Sequence, residues 1–339
     1  MPMLPKTQRQ VVLKSRPNGI PEAQHFEIVT GAVPEPGERS FVVKNKFLSV
    51  EPAMRGWVNA VQNYSRPVAI GEVMRAYTAG EVAASRHSAF KEGDKVMGQF
   101  GWQEYALSDG AGVRLVRETD LPLSLSLGVL GLNGRTAYFG LLDLGEPRPS
   151  DTVVVSTAAG SVGSAVGQIA KIMGCRTVGI AGGTEKVRLC RELFGYDAAL
   201  DYKSERALGA AVAAACPGGV NIYYDNTSGA VSDAVLPSLA VGARVVICGT
   251  ASVASWDPPP MGPRVERHLL VKRARMQGFV AFDFEHRTEE AVARLAAWVR
   301  EGKLRYSEDI LDGIESCPGA IAGLYRGENL GKRIIRLQA

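Results

Sequence analysis

The sequence predicts an α/β protein with a β-rich part and a part built on a doubly wound parallel sheet. Three observations support this prediction. From about Leu130, apolar strand-like runs alternate with helical patterns, which is typical of parallel sheets. Before that point, residues 1–125 contain short β-like runs separated by turn residues. After residue 303 the pattern becomes β-like again, which predicts a tail that returns to the first part.

The elements of the first part are predicted from runs bounded by turn signals such as Pro17-Asn18-Gly19 and Glu92-Gly93-Asp94. The predicted strands there are 10–13, 40–48, 82–84 and 95–98. In the second part the predicted strands are 152–156, 177–181, 198–200, 220–224 and 243–247. A helix is predicted over 289–300, because Ala291, Leu295 and Trp298 share one face and Gly302 follows. The β-like runs of the tail are 304–311 and 332–337.

Composition predicts a globular protein that is long enough for two domains. The 339 residues exceed the usual length of one domain. A net charge of +4 gives no argument for a nucleic-acid or membrane partner. No apolar run reaches the ~18 residues of a membrane span, and the first ten residues lack the apolar stretch of a signal peptide. We therefore expect a cytoplasmic protein.

The cysteine and histidine patterns predict neither disulfides nor a metal site. The five cysteines are scattered, form no Cys-x-x-Cys pair and begin only at Cys175. In a chain without a signal peptide this pattern indicates reduced thiols. The four histidines are too dispersed to suggest a metal cluster.

A strand–turn–helix–strand pattern over 151–186 predicts a dinucleotide site in a Rossmann-type domain. Apolar residues 153–155 lead into a turn of small residues, and a helical pattern and a second strand follow. Glycine is needed there because a side chain would block the approaching pyrophosphate, and the helix N-terminus supplies N–H donors. The turn residues predicted to bind the cofactor are Ala159, Gly160, Ser161, Val162 and Gly163.

The end of the second strand predicts NADP rather than NAD. An NAD enzyme usually has an acidic residue there, whereas this chain has Ala181. Gly183, Thr184 and Lys186 follow, and N–H groups, a hydroxyl and an ammonium suit a 2′-phosphate. Alternatively, Thr184 caps the next helix and Lys186 lies on its solvated face. Glu185 argues against a phosphate site.

Six ordered segments resemble one family, the zinc-independent medium-chain dehydrogenase/reductases. They are similar to the branch of leukotriene hydroxydehydrogenase/prostaglandin reductases, bacterial curcumin reductases and plant double-bond reductases. The segments are 48–56, 71–75, 131–141, 158–163, 225–226 and 327–332. This resemblance implies a GroES-like β-rich catalytic domain over 1–128 and 308–339, a Rossmann NADP-binding domain over 129–307, and a homodimer.

The resemblance also implies further site residues. Lys186 and Tyr202 match residues that contact the 2′-phosphate, and Asn329 matches a cofactor-contacting asparagine. Thr136 and Asn226 are expected at the nicotinamide and the adjoining ribose, and Phe279 and Val280 at the carboxamide. Further residues expected to bind the cofactor are Pro52, Met54, Cys248, Gly249 and Thr250. Tyr202 could instead cap a strand, and the two asparagines could satisfy turn backbone. Ala53 and Ala254 stand where many family members have tyrosine, so the substrate pocket differs.

The implied activity is NADPH-dependent reduction of the C=C bond of α,β-unsaturated ketones and aldehydes, with hydride transfer to the β-carbon. Positioning would supply most of the catalysis, and a hydrogen-bond donor would stabilise the enolate oxygen. The candidates for this donor are the cofactor's own ribose hydroxyl and Tyr64. The phenol of Tyr64 could also relay the proton, although Tyr64 could equally pack a domain interface. Two alternatives are a zinc-free NADPH quinone reductase and a non-catalytic NADPH-binding protein. A zinc-dependent alcohol dehydrogenase is disfavoured, because the N-terminal domain lacks Cys and His ligands.

Overall fold

The protein is described by a computed structural model that covers residues 4–60, 65–253, 258 and 260–338. The chain divides into two compact units. The first unit contains Met1–Leu127 and Glu308–Ala339, and the second contains Gly128–Ser307.

The strands are, in chain order, β1 (Thr7–Leu13), β2 (Phe26–Ala32), β3 (Phe41–Ser49), β4 (Thr78–Ser85), β5 (Lys95–Gly98), β6 (Tyr105–Ser108), β7 (Arg114–Leu115), β8 (Thr152–Ser156), β9 (Arg176–Ala181), β10 (Ala198–Asp201), β11 (Val220–Asp225), β12 (Leu239–Ile247), β13 (Arg275–Gly278), β14 (Glu308–Asp312) and β15 (Lys332–Arg336). The α-helices are α1 (Met54–Trp57), α2 (Leu132–Phe139), α3 (Ser161–Ile172), α4 (Thr184–Glu192), α5 (Leu208–Ala215), α6 (Gly229–Val235), α7 (Glu266–Lys272), α8 (Thr288–Arg300) and α9 (Cys317–Arg326). None of these helices is long and apolar enough to span a membrane.

The first unit is a β domain that includes the C-terminal tail. Its main sheet has the order β14-β15-β3-β4-β5-β7, and β6 also pairs with β3. β15 lies antiparallel to β3, with Ile335 opposite Leu48, and β14 lies parallel to β15. The tail therefore returns to the first unit, as the sequence predicts. A hydrophobic core of this unit joins Leu48 and Ile335 of these strands to the fully buried side chains of Leu13, Met54 and Trp102.

The second unit contains a six-stranded parallel sheet with the order β10-β9-β8-β11-β12-β13. The strand order reverses between β8 and β11, because β8 leads to β9 on one side and β11 leads to β12 on the other. In open sheets of this kind, ligands bind outside the carboxyl ends of the strands at that reversal. The predicted fold class is thus confirmed. By this rule, a ligand site is expected at the ends of β8 and β11.

In the tail, the structure differs from the predicted pattern at two places. The run predicted as β-like from residue 304 becomes a strand only at Glu308, because Leu304 packs beneath α8 and donates its N–H to Trp298. Helix α9 was not predicted between the two tail strands. Pro318 lies in its first turn and Gly327, with φ +75°, ends it. Proline in the first turn and glycine after the last are ordinary helix boundaries, but the segment between them has only ten residues.

Candidate functional site

The turn between β8 and α3 brings two backbone segments into unusually close approach. A Cβ atom on Gly163 would lie 2.3 Å from the carbonyl oxygen of Thr157, so only glycine fits there. Gly160 is the N-cap of α3 and makes no side-chain cap. The first N–H groups of a helix have no intrahelical acceptor, and they favour an anion. The other predicted turn residues, Ala159, Ser161 and Val162, lie in the same turn.

A second glycine loop follows β9. Gly183 has φ +95° and is the N-cap of α4, so Thr184 is the first helical residue rather than the cap. The cap alternative for Thr184 is therefore wrong, because Gly183 occupies the cap position, with a positive φ that glycine adopts easily. Thr184 is exposed, and half-buried Lys186 lies in the first turn of the same helix. This loop is thus adjoined by the hydroxyl of Thr184, the ammonium of Lys186 and the N-terminus of α4.

Tyr202 lies against this loop from the next strand of the sheet. Its N–H donates to the carbonyl of Ala181 at 3.1 Å. A Cβ on Gly182 would come within 2.8 Å of the Tyr202 ring, so the glycine makes room for the tyrosine. The side chain of Tyr202 is 45% exposed and so remains available to a ligand.

The charges around this loop are arranged in favour of an anion. Glu185, the residue that argued against a phosphate site, pairs with Arg188 at 2.8 Å, and this guanidinium lowers the pKa of Glu185. Asp201 accepts hydrogen bonds from the N–H groups of Gly183 and Lys203 at 2.8 and 3.0 Å. The Gly183 bond in particular lowers the pKa of Asp201. Glu185 is therefore engaged by a donor of its own helix, and Asp201 by donors of this loop and of its own.

The ends of β8, β11 and β12 meet at the reversal point of the sheet. Asn226 donates its side-chain amide to the carbonyl of Ser156 at 2.7 Å, and its backbone N–H to the Ser156 hydroxyl at 2.8 Å. A Cβ on Gly249 would lie 2.9 Å from the carbonyl oxygen of Asn226. Asn226, Cys248 and Gly249 are therefore neighbours, and Thr250 follows them.

The predicted nicotinamide residues of the second unit surround Tyr224. The hydroxyl of Tyr224 donates to the Thr136 carbonyl at 2.8 Å, and it also contacts the Cys248 thiol. A Cβ on Gly140 would lie 2.5 Å from the Phe279 ring and 2.4 Å from the Tyr224 hydroxyl. Burial raises the pKa of Cys248 to about 12, so its thiol stays protonated at neutral pH. Val280 follows Phe279 and is half-buried.

The predicted residues of the first unit occupy separate segments. Pro52 is exposed and its carbonyl accepts the Tyr325 hydroxyl at 2.9 Å, whereas Met54 is fully buried. Asn329 donates its amide to the Gly331 carbonyl at 2.7 Å, which is the turn-stabilising role weighed for it above. Tyr64 lies outside the described residues, and so does Ala254.

Three polar residues of the second unit were not predicted as site residues. Ser156, Asp201 and Asp225 are each the last residue of a strand of the parallel sheet. Their hydrogen bonds hold the loops that carry the predicted site residues. A polar residue directly after an apolar strand-like run is the sequence signal that could have found them.

The two glycine loops fit a phosphorylated dinucleotide better than a metal ion. Gly163 leaves space for backbone approach, and the second loop presents Lys186, Tyr202 and the N-terminus of α4. Among the described residues, no three His, Cys, Asp or Glu side chains come together in a group that could hold a metal ion.

Sequence comparison places both parts of the chain in known families. Residues 9–116 match the family described as "N-terminal domain of oxidoreductase", and residues 161–297 match "Zinc-binding dehydrogenase". The chain is 44% identical over 336 residues to the NADPH-dependent curcumin reductase of Escherichia coli (strain K12), covering 97% of this chain and 96% of that protein. It is 37% identical over 335 residues to the 2-alkenal reductase (NADP(+)-dependent) of Nicotiana tabacum, covering 97% of both chains.

Structural comparison gives the same result. The crystal structure of CurA in complex with NADPH from Vibrio vulnificus superimposes with a TM-score of 0.91 and 40% sequence identity. The match covers 98% of this chain and 99% of that chain.

Proposed function

The chain belongs to the NADPH-dependent branch of the medium-chain dehydrogenase/reductase superfamily, and on this premise we propose that it reduces activated C=C bonds of α,β-unsaturated ketones and aldehydes. The observation that carries this proposal is the likeness, over 97% of the chain, to proteins named as curcumin and 2-alkenal reductases.

NADPH is the proposed cofactor, bound by the second unit. Its pyrophosphate would meet the N-terminus of α3, and its 2′-phosphate would meet Lys186, Thr184 and Tyr202. The 2′-phosphate assignment is supported by the arrangement of charges. Buried Ala181 replaces the expected acid, and both nearby carboxylates are engaged by other donors.

NADPH, when bound, supplies the hydride that is transferred to the β-carbon of the substrate. The chain's own contribution is to orient the reacting groups and to exclude water. Thr136, Asn226 and the 248–250 segment would position the nicotinamide half. Pro52, Met54 and Asn329 are proposed as further cofactor contacts. Tyr64 is the proposed donor to the enolate oxygen.

A spectrophotometric screen tests the activity. NADPH oxidation is followed at 340 nm with enones, enals and quinones as acceptors. Turnover of enones or enals is the expected result. Turnover of quinones alone would support a quinone reductase instead, and NADPH binding without turnover of any acceptor would contradict the enzymatic proposal.

Replacement of Tyr64 tests the proton donor. We expect Tyr64→Phe to lower kcat for an enone by about 100-fold, because general acid catalysis contributes roughly that factor. The Kd of NADPH, measured by calorimetry, should stay unchanged. An unaltered kcat would remove Tyr64 from the mechanism.

We further propose that the enzyme works without a metal in the cytoplasm. All five cysteines are free, which is typical of a reducing compartment. Activity that survives extensive dialysis against a chelator, with no metal detected by mass spectrometry, is the expected result. Activity lost on dialysis and restored by zinc would contradict it.

A homodimer is the proposed assembly. β13 is an edge strand of the parallel sheet, and neither β13 nor α7 contains a buried residue. Leu270 and Val271 of α7 are 79% and 55% exposed, which is unusual for large apolar side chains on one short helix. Light scattering should give about twice the 36.2 kDa of one chain. A mass of one chain would contradict this proposal.

A further inference from the structure

Asp225 is the last residue of β11 and lies where the strand order of the parallel sheet reverses. Only 1% of its surface is exposed. In the part of the chain that the structure describes, its carboxylate makes hydrogen bonds but no ion pair with Lys, Arg or His. Burying such a charge costs free energy, which its hydrogen bonds must offset.

The carboxylate of Asp225 joins three segments of the second unit. Its Oδ1 accepts the N–H groups of Thr227 and Ser228 at 2.9 and 2.8 Å, and the Ser156 hydroxyl at 3.3 Å. Its Oδ2 accepts the Ser232 hydroxyl at 2.5 Å. One side chain therefore holds the loop after β11, the end of β8 and helix α6.

The backbone of Asp225 adds a fourth segment. Its carbonyl accepts the N–H groups of Cys248 and Gly249 at 2.8 and 3.1 Å. Ser228 has φ +58°, a conformation that L side chains rarely adopt. Its N–H is held by the Asp225 carboxylate, so the carboxylate supports a strained loop as well as joining its neighbours.

We propose that Asp225 is a positioning residue that fixes Asn226, Cys248 and Gly249 in the arrangement that receives the nicotinamide half of the dinucleotide, an inference that rests on the proposed function. Asp225 does so by accepting donors from the ends of β8 and β11 at the crevice between them. It acts through these neighbours, and the loop at Gly183 that receives the 2′-phosphate is held separately by Asp201.

The negative charge is needed because every group that faces the carboxylate donates a hydrogen bond. An asparagine would present an amide N–H₂ group to one side of this cluster. That group would oppose the N–H groups of Thr227 and Ser228, or it would force the Ser232 hydroxyl to turn and accept. The loop after β11 would then lose its single arrangement while the fold of the sheet persists.

The test compares two ligands: NADPH, and a fragment that contains only its adenosine 2′-phosphate end. Calorimetry measures the binding of NADPH and of adenosine 2′,5′-bisphosphate to the full-length protein and to Asp225→Asn. We expect the Kd of NADPH to rise about tenfold, as for loss of a hydrogen bond to a charged group, with the bisphosphate Kd changed by less than about twofold. Ser156→Ala, which removes only one hydroxyl from this cluster, should show the same pattern to a smaller extent.

The outcomes separate this inference from the proposed function. Equal weakening of both probes in Asp225→Asn and Ser156→Ala, or no change in either probe, would overturn the positioning role. Asp233→Asn is the matched control, since it removes a carboxylate from the residue after Ser232 on α6, and it should leave both Kd values unchanged. Failure of the unaltered protein to bind either probe would contradict the proposed NADPH site itself.

Discussion

At the residue scale, the proposed preference for a phosphorylated cofactor rests on a few side chains around one loop. The position of the usual acidic residue is filled by buried Ala181. The negative charges that remain nearby belong to Glu185 and Asp201. Glu185 is engaged by Arg188 of its own helix, and Asp201 by the N–H of Gly183 from the neighbouring loop. Lys186 therefore lies where carboxylates are already compensated, which favours an added phosphate.

Replacement of Lys186 by alanine should weaken NADPH much more than NADH. Because a charge-assisted hydrogen bond contributes about 1.5–3 kcal/mol, the Kd of NADPH should rise by roughly 10-fold to 100-fold. Fluorescence titration measures both Kd values. Arg191→Ala is the control, since it removes an exposed cation from the last turn of the same helix. An unchanged NADPH affinity in Lys186→Ala would show that the phosphate assignment is incorrect.

Asp201 gives a prediction about pH. The Gly183 N–H lowers the pKa of Asp201 below its ordinary 3.8, so the stabilisation is complete above that value and is lost as the pH falls through the lower folded pKa. We expect Asp201→Asn to lower the free energy of unfolding by less than about 1 kcal/mol at pH 7, since the group is partly exposed. Urea denaturation at pH 7 and pH 3 should show a smaller difference between the two proteins at pH 3; a larger one would contradict the assignment.

At the scale of single elements, close approach of helix and strand depends on glycine. Helix α3 packs closely against β9 and against Tyr196, which follows α4. A Cβ on Gly167 of α3 would lie 2.2 Å from the buried ring of Tyr196. The Tyr196 hydroxyl in turn donates to the Gly163 carbonyl at 2.6 Å, so this contact also holds the first turn of the helix.

Two glycine-to-alanine substitutions in helices should therefore act in opposite directions. Gly167→Ala should destabilise the protein by about 1–3 kcal/mol through overpacking against Tyr196. Gly319→Ala in α9, where a Cβ meets nothing within 4 Å, should stabilise it by up to about 1 kcal/mol through helix propensity. Thermal unfolding of both variants checks the signs. Equal destabilisation by both would mean that packing at Tyr196 is not the cause.

At the scale of the whole molecule, the chain's two ends are joined in one sheet, and a buried ion pair lies at that junction. Lys332, at the start of β15, donates to the Glu51 carboxylate and the Ser49 hydroxyl, both at 2.6 Å. Lys332 and Glu51 are each only 4% exposed. Burial lowers the pKa of Lys332, which the facing carboxylate opposes. Residues nearly three hundred positions apart thus depend on each other for charge compensation.

Removal of one partner of this pair should be strongly destabilising. Lys332→Met should cost about 3–5 kcal/mol of unfolding free energy, because it leaves a buried carboxylate without the ammonium that faces it. The double variant Lys332→Met/Glu51→Gln should recover part of that loss in a denaturant titration. Arg336→Met is the matched control on the same strand, since its pair with Asp312 is exposed, and its loss should be undetectable. If the losses of unfolding free energy for Lys332→Met and Glu51→Gln simply added in the double variant, the two charges would not be coupled.

The sequence by itself predicted the fold class, the strand alternation and both glycine loops. This was possible because apolar periodicity and glycine positions are local properties of the chain. Lys186 and Tyr202 could likewise be selected as candidate residues from motif and resemblance. Helix α9 and the strands β2, β6, β7 and β13 escaped prediction. β6, β7 and β13 have at most four residues, and the seven residues of β2 include only one buried side chain, so their patterns differ little from loops.

Only the tertiary structure showed how these parts support one another. The pairing of Glu185 with Arg188, the hydrogen bonds of Asp201 and the burial of Lys332 with Glu51 all depend on which side chains the fold brings together. The role inferred for Asp225 also arises only where β8 and β11 end side by side. Local patterns determine which elements form, but charge compensation and loop positioning depend on contacts between residues far apart in the sequence.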